Sequence, residues 1–321
     1  RIFFKTYSEK LWGLSCKELD ADFASQRIKK LSLASAVFSA FSLKKSKHKT
    51  LVDEFDYPID GAGSVYDGLA KQMQENGAEI HFNKTVKGVR IKDNKVLGCI
   101  LEDGSFTEAD RIVSTMPIDQ LLIQSEGIDA NIKSLAKKLK FRNTVLVYTK
   151  ILSNNLFPDQ WLYIHNTNTD TGRISNFRNW VPELYGKDDG SVLCLEYWCN
   201  TEDELWTAPD SVFENMAKED LHKTGLSKDF EISEFKILRL QDSYPVYFSG
   251  YKEIMGPIID YLKTIEGLHL IGRGGSYKYN NQDHSIKMGI ILADNLINNT
   301  NHNLWNVNTD FDSYQERVKV E

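Results

Sequence analysis

The chain has 321 residues, of which 41% are hydrophobic and 26% charged, the proportions of an ordinary globular protein. This length accommodates two packed lobes. A formal net charge of −6 argues against a general nucleic-acid-binding protein, and four cysteines without CxxC spacing argue against a metal site or a disulfide framework. No apolar stretch reaches the roughly 18 residues that cross a bilayer, and no signal peptide is visible. We therefore predict a cytoplasmic protein without a transmembrane segment.

The first third of the chain contains a helix followed by turn residues between apolar runs. The helix is predicted over Ser64–Glu75, after Gly61 and Gly63, and turns are predicted at Asp93-Asn94 and Asp103-Gly104. The predicted strands are Glu79–Phe82, Val86–Ile91, Val96–Leu101 and Arg111–Thr115. A helix, a β-meander and a return strand are typical of the interior of a dinucleotide-binding domain.

The middle of the chain alternates differently and predicts a mixed sheet flanked by helices. Helices are predicted over Ile128–Lys138 and Ser211–Lys223. The predicted strands are Thr144–Leu152, Trp161–His165, Gly172–Phe177, Val192–Trp198 and Ile232–Leu240. The fold class predicted for the whole chain is therefore α/β (α+β), with a partial Rossmann-like domain and a mixed-sheet substrate domain.

The most informative segment begins with a short strand, Leu268–Ile271, that ends in a glycine-rich turn carrying Arg273. A polar run then leads to a helix predicted over Ser285–Asn298, with Asp283 as its cap and an interior apolar enough to be buried. Glycines allow close approach to the main chain, and a helix N-terminus favours negative charge. The segment therefore predicts a cradle for an anionic or electron-rich ligand.

These residues also carry a family resemblance. Gly272-Arg273-Gly274-Gly275-Ser276, followed by the run Asn281 to Ser285 and by Gly289, resembles the C-terminal flavin segment of UDP-galactopyranose mutases. Those enzymes belong to the superfamily of flavin amine oxidases and protoporphyrinogen oxidases. The resemblance extends to Tyr57-Pro58 with Gly61 and Gly63, and to Ser114-Thr115-Met116-Pro117.

The resemblance implies an FAD cofactor, which mutase chemistry uses in its reduced form, and a nucleotide-sugar ligand whose ring opens and recloses between pyranose and furanose. The cofactor-binding residues that it implies are Gly61, Gly63, Val86, Gly272, Arg273, Asn281, Gln282, Asp283, His284 and Ser285. Arg173 and Arg273 are implied as catalytic residues that offset charge on the departing UDP. The implied substrate-binding residues are Arg27, Tyr163, Tyr244 and Tyr279.

The resemblance also predicts how the chain divides. Residues 53–120 and 265–300 would form the remaining part of an FAD-binding domain, 1–52 and 121–264 a substrate domain, and 301–321 a C-terminal tail. No Gly-x-Gly-x-x-Gly fingerprint follows a strand. We therefore expect the C-terminal portion of a flavin enzyme that binds FAD weakly alone, with a partner chain or an N-terminal lobe supplying the rest.

Several alternatives stay open at this point. The same cofactor frame serves amine-oxidase-like and protoporphyrinogen-oxidase-like oxidoreductases. A non-catalytic remnant or a nucleotide-sugar-binding module would also explain the missing fingerprint. His284 is interpreted as a structural hydrogen-bond partner rather than a base. The serine-rich apolar run Leu31–Leu43 with its basic end, Lys44 to Lys49, is interpreted as an active-site cover rather than a membrane contact.

Overall fold

The structure is a computed structural model that describes residues 2–20, 57–226 and 231–307. Within these ranges short helices alternate with strands. The helices are α1 (Ile2–Trp12), α2 (Gly63–Glu75), α3 (Ile118–Gln124), α4 (Ala130–Ala136), α5 (Glu204–Thr207), α6 (Asp210–Thr224), α7 (Tyr251–Leu262), α8 (Gly272–Gly275) and α9 (Gln282–Asn298). The strands are β1 (Val86–Lys92), β2 (Lys95–Leu101), β3 (Phe106–Glu108), β4 (Ile112–Ser114), β5 (Phe141–Ile151), β6 (Trp161–Tyr163), β7 (Arg173–Asn176), β8 (Ser191–Cys199), β9 (Ile232–Pro245) and β10 (Leu268–Leu270). Short 3-10 helices span Phe177–Asn179, Pro182–Tyr185 and Leu304–Asn306.

The predicted meander is confirmed as a three-stranded antiparallel sheet in the order β1-β2-β3. Asp93 and Asn94 form the two-residue turn between β1 and β2, with φ values of 51° and 57°. Two consecutive positive φ angles characterise a type I′ turn, whose twist matches that of the flanking strands. The turn residues that the sequence singled out therefore set the register of this hairpin.

A second, five-stranded sheet has the order β6-β7-β8-β5-β9, with antiparallel pairing throughout. Alternate residues of each strand point to opposite faces. One face packs against α6 and forms a core whose fully buried members include Val145, Val147, Ile174, Leu193, Leu195 and Phe213. This face of the sheet is therefore committed to packing.

The opposite face of the five-stranded sheet carries a different row of residues. Across neighbouring strands, Tyr163 lies opposite Arg173, Arg173 opposite Glu196, Glu196 opposite Leu146, and Leu146 opposite Leu238. The row therefore changes from polar to apolar between β6 and β9. The charged residues of this row mark the face on which chemistry is expected.

A third, two-stranded sheet pairs β4 with β10 in parallel. Leu268 and Leu270 of β10 enter a core that also contains residues of β1, β2, α3, α4 and α7. The α/β fold class is thus confirmed. The division into two domains stays a prediction; α4 and α7, which lie within residues 121–264, and α3, which crosses the predicted boundary, share this core with the meander.

Three predictions about local structure are wrong. Residues 79–82 form no strand, and the Phe82 side chain is 77% exposed. The last helix begins at Gln282 rather than Ser285. That helix, α9, is also not buried on all sides, because only Met288 and Leu292 are buried while Ile290 and Ile297 are 65% and 76% exposed.

None of the helices within the described ranges is long and apolar enough to cross a membrane. The run Leu31–Leu43 and its basic end lie outside the described residues, as does Arg27. Their predicted roles therefore stay predictions.

Candidate functional site

The glycine turn, residues 272–275 (α8), packs directly on the carboxyl end of the parallel strand β4. Gly272 enters the turn with φ 74°. A Cβ atom added to Gly275 would lie 2.7 Å from the Ser114 carbonyl oxygen, so a side chain cannot fit there. Ligands of open α/β sheets bind outside the carboxyl ends of the strands. The turn therefore lies where the fold places a ligand.

The helix that follows the turn is capped by Asn281 and not by Asp283, which corrects the sequence-based assignment. The Asn281 side chain accepts from the backbone of His284, and the His284 ring nitrogen Nδ1 accepts from the Asn281 N–H at 3.4 Å. This reciprocal pair is a capping box. Burial lowers the pKa of His284, which keeps the ring neutral and able to accept. The structural role predicted for His284 agrees with this geometry.

Asn280 is enclosed between the glycine turn and the start of α9. The residue is 3% exposed, and its backbone carbonyl oxygen accepts a hydrogen bond from Arg273 Nε at 3.1 Å. The amide nitrogen Nδ2 is buried without an acceptor among the described residues. An unsatisfied buried donor costs about 1–3 kcal/mol. A ligand that brings an acceptor to this position would recover that cost.

Arg273 lies among aromatic rings. Its guanidinium carbon is 4.9 Å from the Tyr244 ring centroid and 5.6 Å from that of Tyr279. Nη1 also donates to the Ser243 carbonyl oxygen at 3.3 Å. Trp12 contacts both tyrosines edge-on, with centroid distances of 6.2 Å to Tyr244 and 5.1 Å to Tyr279. Cation–π contacts therefore hold Arg273 at the boundary between the turn and the five-stranded sheet.

Arg173 is held by a carboxylate that sequence reasoning missed. Its Nε and Nη2 donate to the two oxygens of Glu196 at 2.6 and 2.7 Å. Burial alone would lower the pKa of Arg173, but Glu196 raises it, so the guanidinium stays charged. The sequence did contain a signal, because Glu196 is a charged residue within the apolar run Val192–Trp198, and buried charges are normally paired.

Tyr7 joins the two arginine-containing halves of the site. Its ring contacts Tyr163 at 4.9 Å and Trp198 at 5.7 Å, both edge-on. Burial raises the pKa of Tyr7, and Tyr279 and Tyr163 raise it further, whereas the charge of Arg173 acts in the opposite direction. The hydroxyl therefore stays protonated and can donate. The cluster that results, named the arginine–tyrosine cluster, consists of Tyr7, Tyr163, Arg173, Glu196, Tyr244, Arg273 and Tyr279.

Lys10, three residues after Tyr7, fixes the loop that leads into β7. Its Nζ donates to the Asn166 and Thr171 carbonyl oxygens at 2.8 and 3.0 Å and to the Thr169 hydroxyl at 3.1 Å. It thus positions the segment that precedes Arg173.

A cavity of about 660 Å³ lies beside this loop and is lined by Lys10 and Trp198 but by no predicted site residue.

The remaining predicted residues lie apart from this cluster or cannot be placed. Gly61 and Gly63 precede and begin α2, with Gly61 close to Leu184, and Val86 begins β1 opposite Leu101. Gln282, Asp283 and Ser285 lie in the first turn of α9, beside the glycine turn. Within the described ranges no group of three or more potential ligands could hold a metal ion.

Helices α2 and α9 and the parallel sheet expose large apolar side chains. Helix α2 buries none of its residues, and Val65, Leu69 and Met73 recur along it at intervals of four. Val113 of β4 is likewise exposed, although parallel sheets are normally covered on both faces. Exposed apolar side chains on this scale mark surfaces that contact another part of a protein.

Comparison with known proteins identifies the family. The family model described as flavin containing amine oxidoreductase matches residues 13–280. The chain belongs to this family. The match includes the glycine turn, Arg173, Glu196 and Tyr244, and it ends directly before the Asn281 cap.

Solved structures show the same fold at low sequence identity. A reduced UDP-galactopyranose mutase matches with a TM-score of 0.78 and 17% identity, over 96% of this chain and 68% of that one. A candidate protoporphyrinogen oxidase from Exiguobacterium sp. 255-15 matches with a TM-score of 0.52 and 20% identity, over 67% of this chain and 47% of that one.

One curated relative matches over a short stretch. Prolycopene isomerase of Daucus carota is 32% identical over 59 residues, which are 18% of this chain and 10% of that protein. The chain thus spans about a tenth of this curated relative and about half of the oxidase.

Proposed function

We propose that the chain is a UDP-galactopyranose-mutase-like protein, or the C-terminal part of one, that acts with FAD on a nucleotide sugar for surface polysaccharide synthesis. The observation that carries this proposal is the convergence of Arg173 and Arg273 with four tyrosines in the arginine–tyrosine cluster. Two guanidinium groups and several phenol hydroxyls suit a diphosphate, because arginine binds phosphate oxygens through two parallel hydrogen bonds. The predicted cytoplasmic location and the roles of individual residues are part of this proposal.

The residues around the glycine turn fit a flavin. The unsatisfied Nδ2 of Asn280 suits an acceptor, and the N-terminus of the 17-residue helix α9 favours a negatively charged ring. Gly274 and Gly275 have no side chains, which allows the turn to pack closely on Ser114, Thr115 and Pro117. The residues that would hold FAD are those of the turn and of the run Asn281 to Ser285, and a bound reduced flavin would supply the nucleophile.

The chain's own residues would bind and orient the nucleotide. Because Glu196 occupies the Nε–Nη2 edge of Arg173, the Nη1 group is left for phosphate oxygens. Arg273 would approach the same diphosphate from the turn. Both charges would stabilise the negative charge that develops as the sugar–phosphate bond breaks. The tyrosine hydroxyls would donate to the same oxygens.

The exposed apolar faces support the predicted need for a further lobe. The stripe on α2, Val113 of the parallel sheet and the outer face of α9 are surfaces that water solvates poorly. We infer that a nucleotide-binding lobe, whether in the same polypeptide or in a partner chain, packs against them. On this proposal FAD affinity depends on that lobe.

A second candidate function is an oxidoreductase with an apolar substrate. Leu146 and Leu238 continue the row of Arg173 and Glu196 toward β9, and Leu238 is exposed. An apolar substrate would use this end of the row and would not need a diphosphate site. A third candidate, a nucleotide-sugar-binding module without catalysis, would bind UDP but not flavin.

Titrations of the purified chain with UDP and with FAD separate these candidates. Calorimetry should detect UDP binding, and Arg173→Lys should weaken it at least about tenfold, because one ammonium group cannot replace both the two hydrogen bonds to Glu196 and the remaining Nη1 group that would bind phosphate. The control is Arg239→Lys. Arg239 lies on the packed face of the same sheet, where it pairs with Asp210. Absence of UDP binding would overturn the mutase proposal and favour the oxidoreductase. UDP binding without flavin absorbance at high added FAD would favour the binding module or a missing lobe.

A further inference from the structure

One buried threonine joins four elements behind the arginine–tyrosine cluster. Thr171 lies two residues before β7 and is 0% exposed. Its backbone N–H donates to Asp220 Oδ2 at 2.7 Å, and its carbonyl oxygen accepts from Lys10 Nζ at 3.0 Å. Its hydroxyl lies 3.1 Å from the Arg173 carbonyl oxygen and 3.2 Å from that of Glu196. Thr171 therefore connects α1, α6, β7 and β8.

The contact with α6 comes from a buried carboxyl group. Asp220 is 1% exposed, and its two oxygens also accept from the Asp170 N–H at 3.2 and 3.1 Å. Burial raises the pKa of Asp220, whereas the N–H groups of Thr171 and Asp170 act in the opposite direction. A buried carboxyl group is costly without hydrogen-bond partners, so Asp220 holds two successive backbone N–H groups of the loop in place.

The contact with α1 ties the same loop to Tyr7. Lys10 follows Tyr7 by three residues, so the two side chains lie on the same face of the helix. The Tyr7 ring in turn contacts Tyr163, which lies opposite Arg173 in the sheet. The position of Thr171 therefore affects where α1 presents Tyr7 relative to Arg173.

Gly172 allows the loop to lie this close to the sheet. A Cβ atom added to Gly172 would overlap with the Trp198 ring, and the Gly172 N–H donates to the Glu196 carbonyl oxygen at 3.1 Å. Trp198 also contacts Tyr7 edge-on. The loop, Trp198 and Tyr7 therefore pack as one unit, and a small shift of the loop moves all three.

On the basis of the nucleotide-binding function proposed above, we propose that Thr171 is a positioning residue that sets Arg173 and Tyr7 at the separation a diphosphate requires. Because Thr171 is fully buried, it acts through its neighbours. Its hydroxyl fixes the backbone of Arg173 and of Glu196, the two residues whose side chains pair with each other. Its carbonyl oxygen fixes α1 through Lys10. Loss of the hydroxyl displaces the guanidinium and its counter-charge together.

UDP titration by calorimetry tests the role of the hydroxyl. Thr171→Val keeps the size of the side chain and should weaken UDP binding about tenfold, since small displacements of a binding group are costly. Thr171→Ser restores the hydroxyl and should bind UDP within about twofold of the unmodified chain. A merely structural role would give the opposite order, because serine leaves a cavity the size of a methyl group and valine does not.

Thr149→Val is the matched control for this substitution. Thr149 is also 0% exposed and lies in the same sheet, but its hydroxyl has no partner among the described residues. The variant should bind UDP as the unmodified chain does and should not lower the Tm. Equal UDP affinity of Thr171→Val and Thr149→Val overturns the proposal.

Lys10→Met tests the same connection from α1 and does not depend on the folding of Thr171→Val. Methionine keeps an apolar stem but cannot donate to the Thr171 carbonyl oxygen, so UDP binding should weaken severalfold. Lys5→Met, on the same helix, makes the same change of charge at a side chain that is 59% exposed, and it should change the affinity by less than about twofold. Equal affinities of the two variants overturn the contribution of α1.

A thermal unfolding cycle tests the positioning role without any ligand. Glu196→Gln should lower the Tm by at least about 2 °C less in Thr171→Val than in the unmodified chain, because residues that share one hydrogen-bond network are not additive. In Thr149→Val it should lower the Tm by the full amount. If the unmodified chain binds no UDP, the proposed function fails and this cycle alone decides. Additive effects in both backgrounds overturn the positioning role.

Discussion

Arg173 and Glu196 face each other directly across β7 and β8, and two parallel hydrogen bonds join them at 2.6 and 2.7 Å. Glu196 is 9% exposed and Arg173 30%, so the carboxylate depends on the arginine for its solvation. The pair therefore belongs to the fold and to the candidate site together. Removing either partner leaves a buried charge without compensation.

Replacement of Glu196 by glutamine should destabilise the protein by about 1–3 kcal/mol, because Arg173 loses its counter-charge and one acceptor. Urea denaturation at neutral pH would measure the change. Asp210→Asn is the matched control, since Asp210 pairs with Arg239 but is 57% exposed, and it should cost less than about 1 kcal/mol. Equal losses in the two variants would contradict the importance of the buried pair.

The cap of α9 can be tested at adjacent positions. Asn281→Ala should cost about 0.5–2 kcal/mol because the first turn loses the acceptor for the His284 N–H. Asp283→Ala, at the second helical position, should cost less, since the exposed Asp283 carboxylate contributes to the helix dipole and to a 3.2 Å contact with the His284 ring but accepts no bond from the helix backbone in the capping box. Denaturant unfolding of both variants measures the difference. A larger loss for Asp283→Ala would restore the sequence-based assignment of the cap.

Acid should destabilise the same cap through His284. Burial lowers the pKa of this residue in the folded protein, so the unfolded state binds the proton more tightly. The stability that neutral His284 provides is therefore present above about pH 6.5 and lost as pH falls below it. His284→Gln keeps a capping-box acceptor without titrating. The stability difference between the two proteins should change between pH 7.5 and 5.5, and an unchanged difference would contradict the role of neutral His284 in the cap.

A methyl group in the glycine turn should be far more damaging than one on an exposed helix. Gly275→Ala places Cβ 2.7 Å from the Ser114 carbonyl oxygen, so β4 or the turn must move. We expect a loss of about 1–3 kcal/mol and weaker flavin binding. Gly68→Ala in α2 meets nothing within 4 Å and should be neutral or stabilising by up to about 1 kcal/mol. Thermal unfolding of both variants measures the two changes in stability, and equal changes would contradict the tight packing of Gly275.

Local signals in the sequence predicted the elements but not how they meet. The Asp93-Asn94 turn and the alternation around it were sufficient for the meander, because hairpin geometry depends on adjacent residues. The glycine turn and Arg273 could be located for the same reason. Glu196 could not be paired with Arg173, since that contact depends on the register of β7 against β8. The cap was misplaced by two residues because Asn281 and Asp283 are both good capping residues.

The exposure of α9 could not be read from its composition either. An apolar helix is normally buried, yet Ile290 and Ile297 face away from the described core. Hydrophobicity indicates that a surface needs cover but not which segment provides it. The buried Asn280 Nδ2 group without an acceptor could not be predicted from the sequence either, because several separate segments of the chain together bury this side chain.

The alternation of β8 separates two kinds of constraint on this protein. Leu193, Leu195 and Tyr197 fill the core against α6, whereas Glu196 pairs with Arg173 on the opposite face and Trp198 contacts Tyr7. Substitutions at Glu196 can therefore change what the site accepts without creating cavities in the core against α6, whereas Trp198 is itself buried in a smaller cluster with Leu11, Trp12 and Val246. A single strand thus allows ligand preference to diverge within the family while the scaffold stays the same.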